Sequence, residues 1–191
     1  LGGTPKNTPG LYSLMNYAGL KLGTWYPQGG FYSVVKAMRK ICEENGVNIY
    51  TDTTVNKINV KHSEVISLST NKGDFVIDGV VGGADYHHIE EKLLDKPYRN
   101  YSEKYWSKKT FAPSSLIFYL GIDKKIEGID HHTLFFDANF ENHAIEIYDD
   151  KKWPKDPLFY VCTPSVTDNT VAPQNQENMF VLIPIATGLN D

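Results

Sequence analysis

The stretch Tyr26-Pro27-Gln28-Gly29-Gly30-Phe31-Tyr32-Ser33-Val34-Val35-Lys36-Ala37-Met38 decides the fold, because it joins a Pro/Gly turn to an amphipathic helix and leads, through Gly46, into a β-rich segment. Two adjacent glycines permit positive φ or a close backbone approach that a side chain would block. A helix is predicted just after them. Val34, Ala37, Met38 and Ile41 recur at three- and four-residue spacing, while Lys36, Arg39, Lys40, Glu43 and Glu44 take the other face. That is the pattern of a helix lying on a sheet. Gly46 reads as its C′ residue, and Val47-Asn48-Ile49-Tyr50 as a short strand that follows at once. Turn, helix and strand in this order predict mixed α/β packing and specify no chemistry.

Working outward, the N-terminal side predicts one helix, about Pro9 to Gly19, from Leu11, Leu14, Met15 and Ala18. On the C-terminal side, Val55 to Val60 and Val65 to Thr70 alternate around a polar turn at Lys61 to Glu64, which predicts a β-hairpin. Phe75-Val76-Ile77-Asp78 reads as a further strand, and Gly79 to Asp85 as a buried strand running into glycines that let a backbone or ligand come close. His87 to Leu94 is a predicted short helix. Four apolar runs then follow, Leu116 to Gly121, Thr133 to Phe136, Leu158 to Thr163 and Met179 to Ile185. Their β-branched and aromatic content predicts strands of a second sheet, buried on at least one face. Between them Phe140 to Tyr148 is a predicted helix, with Ala144, Ile145 and Tyr148 at helical spacing.

Composition narrows the function classes. The chain of 191 residues is 41% hydrophobic and carries a net charge of −4, with lysines interspersed among acids. No basic field for nucleic acid exists. Cys42 and Cys162 form no CxxC and no metal spacing, and are read as buried thiols of a reduced intracellular chain. His87-His88 point about 100° apart on a helix and lack a third ligand; His131-His132 are read the same way, so no metal site is expected. No apolar run approaches the roughly 18 residues of a membrane span. No Ser/His/Asp set, paired carboxylate or phosphate loop stands out, against hydrolase and kinase chemistry. A chain opening on Leu1-Gly2-Gly3-Thr4-Pro5 reads as a segment of a longer protein.

A series of collinear blocks carries a family resemblance. Gly-Gly-x-Tyr-x-x-Val-x-Ala-Met at Gly29 to Met38, Leu11 to Tyr17, Gly23 to Pro27, Thr54 to Ile58, Ala84-Asp85-Tyr86, Tyr98 to Ser102, Ala112 to Leu116, His131 to Phe136 and Pro164 to Asp168 together resemble the FAD-dependent carotenoid desaturases of the bacterial phytoene desaturase type. The resemblance covers essentially the whole chain. It implies an α/β (α+β mixed) fold made of parts of a flavoprotein domain and of a sheet-plus-helices substrate domain. Residues 1–24 would end the helical part of the substrate domain, 25–92 would be the middle of the FAD-binding domain, and 93–191 the substrate-binding domain. The G-x-G-x-x-G turn of the family's N-terminus and its C-terminal flavin segment do not occur in this sequence.

The resemblance further implies an oxidoreductase that introduces double bonds into a carotenoid precursor by hydride transfer to FAD, with the isolated fragment expected to be inactive. Val55 would offer main-chain groups to the FAD adenine, and Ala84 would lie near the cofactor, with Gly83 replacing the family's usual Asn. No catalytic residue is assigned. The implied substrate is a hydrophobic carotenoid, the implied location cytoplasmic and peripheral to the membrane. A related flavoenzyme on another carotenoid, an isomerase or oxidase, and a non-catalytic isoprenoid-binding module are the alternatives.

Overall fold

The computed structural model describes Lys6 and residues 8–189, which divide into two compact units, 1–44 with 111–191, and 45–110. Helices and two antiparallel sheets make the mixed α/β fold that the sequence pattern predicts.

In the first unit a helical stretch begins with a 3₁₀ turn, Gly10–Tyr12, continues as α1 (Ser13–Tyr17) and ends in a wide π turn, Ala18–Leu22. It outlasts the sequence-based limit by one turn. The Pro27 turn closes through Gly30 N–H donating to Pro27 C=O at 2.9 Å, with Gly29 and Gly30 at φ of 81° and 83°. Both glycines hold the left-handed conformation expected of them. Helix α2 (Tyr32–Glu44) follows, with Arg39–Glu43 paired at 2.7 Å on its polar face, and Gly46 lies just beyond it at φ 76°. Its apolar face is not covered by a sheet among the described residues: Met38 and Ile41 are exposed. Cys42 is half-buried rather than buried for the same reason, while Cys162 is buried as expected.

The second sheet predicted from the apolar runs has four strands, β4 (Ser114–Ile122), β5 (His132–Phe135), β6 (Phe159–Cys162) and β7 (Glu177–Ile185), in the order β4-β7-β6-β5. Helix α5 (Phe140–Ala144) and its wide continuation Ile145–Asp149 occupy the predicted helix. The core of this unit is Ala144, Ile147, Leu158, Val161, Cys162 and Ala186. Burial is not uniform. β4 is an edge strand with Phe118 and Tyr119 both exposed, so its apolar run is not buried on one face as the composition implied.

In the other unit β1 (Val55–Lys61), β2 (Glu64–Thr70) and β3 (Gly73–Val76) form a meander. The hairpin turn falls on His62 and Ser63, both at positive φ (50° and 65°), which matches the twist of the strands that flank a two-residue turn. Two predicted strands are absent. Val47 to Tyr50 and Gly79 to Asp85 form no ladder, and Val81 is 98% exposed. A strand needs a partner for its backbone groups, and no described segment supplies one here. The glycines still allow a close approach, since a Cβ on Gly82 would lie 2.5 Å from Ile89 Cδ1.

The predicted helix at His87 is short, α3 (Tyr86–His88) with a wide turn Ile89–Leu93, and Asp85 caps it by accepting the His88 N–H at 2.9 Å. Glu90, only 1% exposed, gathers the following segment. Its carboxylate accepts from the Asn100 N–H and side-chain amide, both at 2.9 Å, from the Tyr86 hydroxyl at 3.1 Å and from the Tyr101 N–H at 3.3 Å. Burial alone raises its pKa, but these hydrogen bonds outweigh that and hold it below the ordinary glutamate value. Around it Tyr101 stacks on Tyr105 at 4.1 Å, and Trp106 of α4 (Glu103–Trp106) meets Tyr86 edge-on at 5.7 Å.

Replacing Glu90 by Ala removes the shared acceptor of several part-buried hydrogen bonds and is expected to destabilise by about 2 kcal/mol in urea unfolding. A depressed folded pKa gives stability that is full above the unfolded value of about 4.3 and is lost as pH falls through the folded value. Glu90→Gln should therefore flatten the acid limb of the stability curve; an unchanged limb would remove Glu90 as its source.

Candidate functional site

A cavity of about 670 Å³ lies within the first unit, between α5, the β5–β6 edge of the second sheet and the N-terminal helical stretch. Its walls follow from local structure. β5 supplies Leu134 and Phe135, and Phe136 continues it; across the ladder Phe135 pairs with Phe159 of β6, their rings stacked at 4.5 Å. Phe140, Ala144, Ile147 and Tyr148 come from one face of α5 and its continuation, while Tyr12, Ser13 and Asn16 close the far side. Sequence spacing had put Ile145 on this face; it is exposed, and Ile147 lines the cavity instead. Phe140, Ala144, Ile147 and Tyr148 recur at i, i+4, i+7 and i+8, the spacing of one helical face, and Ile145 falls off that face.

Few polar groups enter this wall. Burial raises the pKa of Tyr148 and of Tyr160. The Tyr160 hydroxyl is hydrogen-bonded to His132 Nδ1. His143, 4% exposed, is held by the Leu158 N–H, which donates to its Nδ1 at 2.8 Å, while its Nε2 is buried without a partner among the described residues. The sequence reading passed over His143 because a lone histidine on a short helix carries no spacing signal.

A second cluster gathers at the start of β5. The register places Cys162 directly opposite His132, and one ligand-type atom each of His131, His132 and Cys162 lie within 4.8 Å of one another. The expectation that His131-His132 lack a partner is thus corrected: the third side chain is a cross-strand neighbour thirty residues away in sequence, which spacing along the chain cannot reveal. Burial, then His132, lowers the pKa of His131. Tyr26 meets the His131 ring edge-on at 4.7 Å, and Asp168 accepts the Gly29 N–H at 2.6 Å and the Thr170 hydroxyl and N–H at 2.6 and 2.9 Å. The Thr170 hydroxyl first, then the two N–H groups, hold Asp168 below the usual carboxylate range. His87, by contrast, lies 3.9 Å from Glu91 within its own helix.

The two residues assigned to FAD both belong to the unit 45–110, on separate segments. Thr54 directs both of its main-chain groups to Asn71, its C=O accepting the Asn71 N–H at 3.1 Å and its N–H donating to Asn71 Oδ1 at 2.9 Å. Strand alternation then turns the N–H and C=O of Val55 away from β2, at the open edge of the sheet. Ala84 is exposed, and its main-chain groups enter no backbone hydrogen bond among the described residues. An edge presenting one free donor and one free acceptor fits a planar heterocycle such as adenine.

Comparison with known proteins gives one family and several relatives. The family model described as flavin containing amine oxidoreductase matches residues 2–175. The chain is 42% identical to the carotenoid 3,4-desaturase of Haloarcula japonica, over 100% of this chain and 39% of that protein. It is 33% identical to the phytoene desaturase of Cercospora nicotianae, over 97% of this chain and 30% of that one. It is 31% identical to the 1-hydroxycarotenoid 3,4-desaturase of a Flavobacterium species, over 95% and 37%. The chain therefore spans well under half the length of these relatives.

The burial difference between the cysteines gives a direct check on this geometry. A disulfide reagent should titrate the half-buried Cys42 well before the buried Cys162, followed by mass spectrometry of the peptides. Equal rates would mean that the β5–β6 end of the sheet is open.

Proposed function

We propose, on the premise that this chain belongs to the flavin containing amine oxidoreductase family, that it is a segment of an FAD-dependent carotenoid desaturase. The observation that carries this reading is the aromatic cavity, which is suited to a long apolar polyene and carries few polar groups. On this reading 1–24 and 93–191 contribute to the substrate-binding domain, and 25–92 to the FAD-binding domain.

Bound FAD would supply the hydride acceptor for the removal of two hydrogens from a C–C unit. What the residues of this chain do is bind and orient. Val55 offers its free main-chain pair to the adenine edge, and the exposed backbone around Ala84 lets the cofactor come close. Phe135, Phe136, Phe140 and Phe159 exclude water and align the polyene by contact along its length. No proton acceptor is assigned within this chain. Peripheral membrane attachment of a cytoplasmic protein is part of the proposal, supported by the apolar substrate and by the exposed Leu20, Leu22 and Trp25. No helix among the described residues is long and apolar enough to cross a membrane.

The test uses the full-length protein, purified, scanned for flavin absorbance and given phytoene in membranes. Red-shifted polyene bands with flavin reduction are the expected outcome. Bound flavin without new bands would favour an isomerase, an oxidase or another carotenoid, and absence of flavin a binding module for isoprenoids.

The adenine assignment has its own check. Proline is tolerated on edge strands and deletes the N–H. Val55→Pro should weaken FAD binding roughly three- to tenfold, the value of one hydrogen bond, while Val55→Ala leaves it unchanged. Equal affinities for both variants would move the adenine elsewhere.

A further inference from the structure

We propose that His131, His132 and Cys162 form a metal site, which takes a divalent ion of the zinc class on two imidazole nitrogens and one thiolate sulfur. The site is independent of the carotenoid reading, and none of its three residues lines the aromatic cavity.

The first observation is convergence. The ladder sets Cys162 opposite His132, and the Thr163 N–H donates to the His131 C=O at 2.9 Å, so the backbone holds the end of β6 against both histidines. One nitrogen of each ring and the sulfur lie within 4.8 Å of one another. Zinc bonds of about 2.0 Å to nitrogen and about 2.3 Å to sulfur put tetrahedral ligand atoms about 3.3 to 3.8 Å apart. Side-chain rotation closes a difference of at most about 1.5 Å with the strands in place.

The second observation is the outer shell. A ligating imidazole uses its other nitrogen for a hydrogen bond that fixes the ring and its tautomer. Here Nδ1 of His131 meets the Thr167 hydroxyl at 2.7 Å, and Nδ1 of His132 meets the Tyr160 hydroxyl. Asp168 is not a ligand, because both of its oxygens already accept, from Gly29 and from Thr170. Cys162 is buried whereas His132 is exposed, so water reaches the ion beside His132 and fills the fourth position. Three protein ligands and a solvent position make the open type of zinc centre.

The experiment uses the full-length protein, reduced with a phosphine and freed of metal. It is titrated with zinc against a chromophoric chelator, and separately with cobalt(II) as a spectroscopic probe. One zinc per chain is expected, with a thiolate-to-cobalt charge-transfer band and the intense visible bands of a tetrahedral ion. His132→Ala, at an exposed residue, should weaken zinc by at least the roughly 10- to 100-fold that loss of an outer-shell partner costs. Cys162→Ala should abolish the charge-transfer band. Thr167→Val keeps all three ligands; it should weaken zinc roughly tenfold and preserve the tetrahedral cobalt spectrum. Cys42→Ser should change neither readout.

A wild type that binds no zinc overturns the proposal. So does zinc binding that His132→Ala and Cys162→Ala both leave unchanged, which would be an adventitious ion only. Should Cys162→Ala not fold, the zinc affinity of His132→Ala and the charge-transfer band of Cys42→Ser decide: unchanged affinity or a lost band overturns the site.

Discussion

The unit that holds the candidate site depends on one register. β6 is only four residues long, yet it lies between β5 and β7 and fixes both, pairing Phe159 with Phe135 and Cys162 with His132 on one side, and Tyr160 with Leu182 on the other. A slip of one residue would exchange its two faces. Phe159 would leave the cavity wall, and Cys162 would no longer face His132. Pairing in the correct register also brings Leu158 to His143, so the backbone ladder sets the imidazole tautomer one residue before the strand begins.

The same sheet anchors the turn from which the helix α2 departs. Gly29, in a conformation few other residues hold, directs its N–H at Asp168, in the loop between β6 and β7, and Tyr26 covers His131. Turn and loop are 139 residues apart in the chain but share one carboxylate. Two of the blocks by which the sequence resembles its family, Gly29 to Met38 and Pro164 to Asp168, thus meet in one hydrogen-bonded connection.

Much of this was legible because local signals dominate where they are strong. Glycine pairs, the alternation around His62-Ser63 and the aromatic density of the four apolar runs identified the turn, the hairpin and the second sheet. The failures share a physical cause. Val47 to Tyr50 and Gly79 to Asp85 have strand composition, but strand formation depends on a partner, and composition reports only the capacity for pairing. Ile145 was misplaced because it follows Ala144 directly and points about 100° away from it, whereas Ile147, three residues on, shares its face. The grouping of His131, His132 and Cys162, and the cavity position of His143, are products of register and tautomer, which have no signature along the chain.

Glu90 and His143 show two ways in which a chain settles buried polar atoms. Glu90 is only 1% exposed, and four donors from the chain itself turn its carboxylate into the organising centre of a tyrosine-rich loop. Its bonding is complete without any ligand, so its role is structural. His143 is nearly as buried, but only one of its two nitrogens is used.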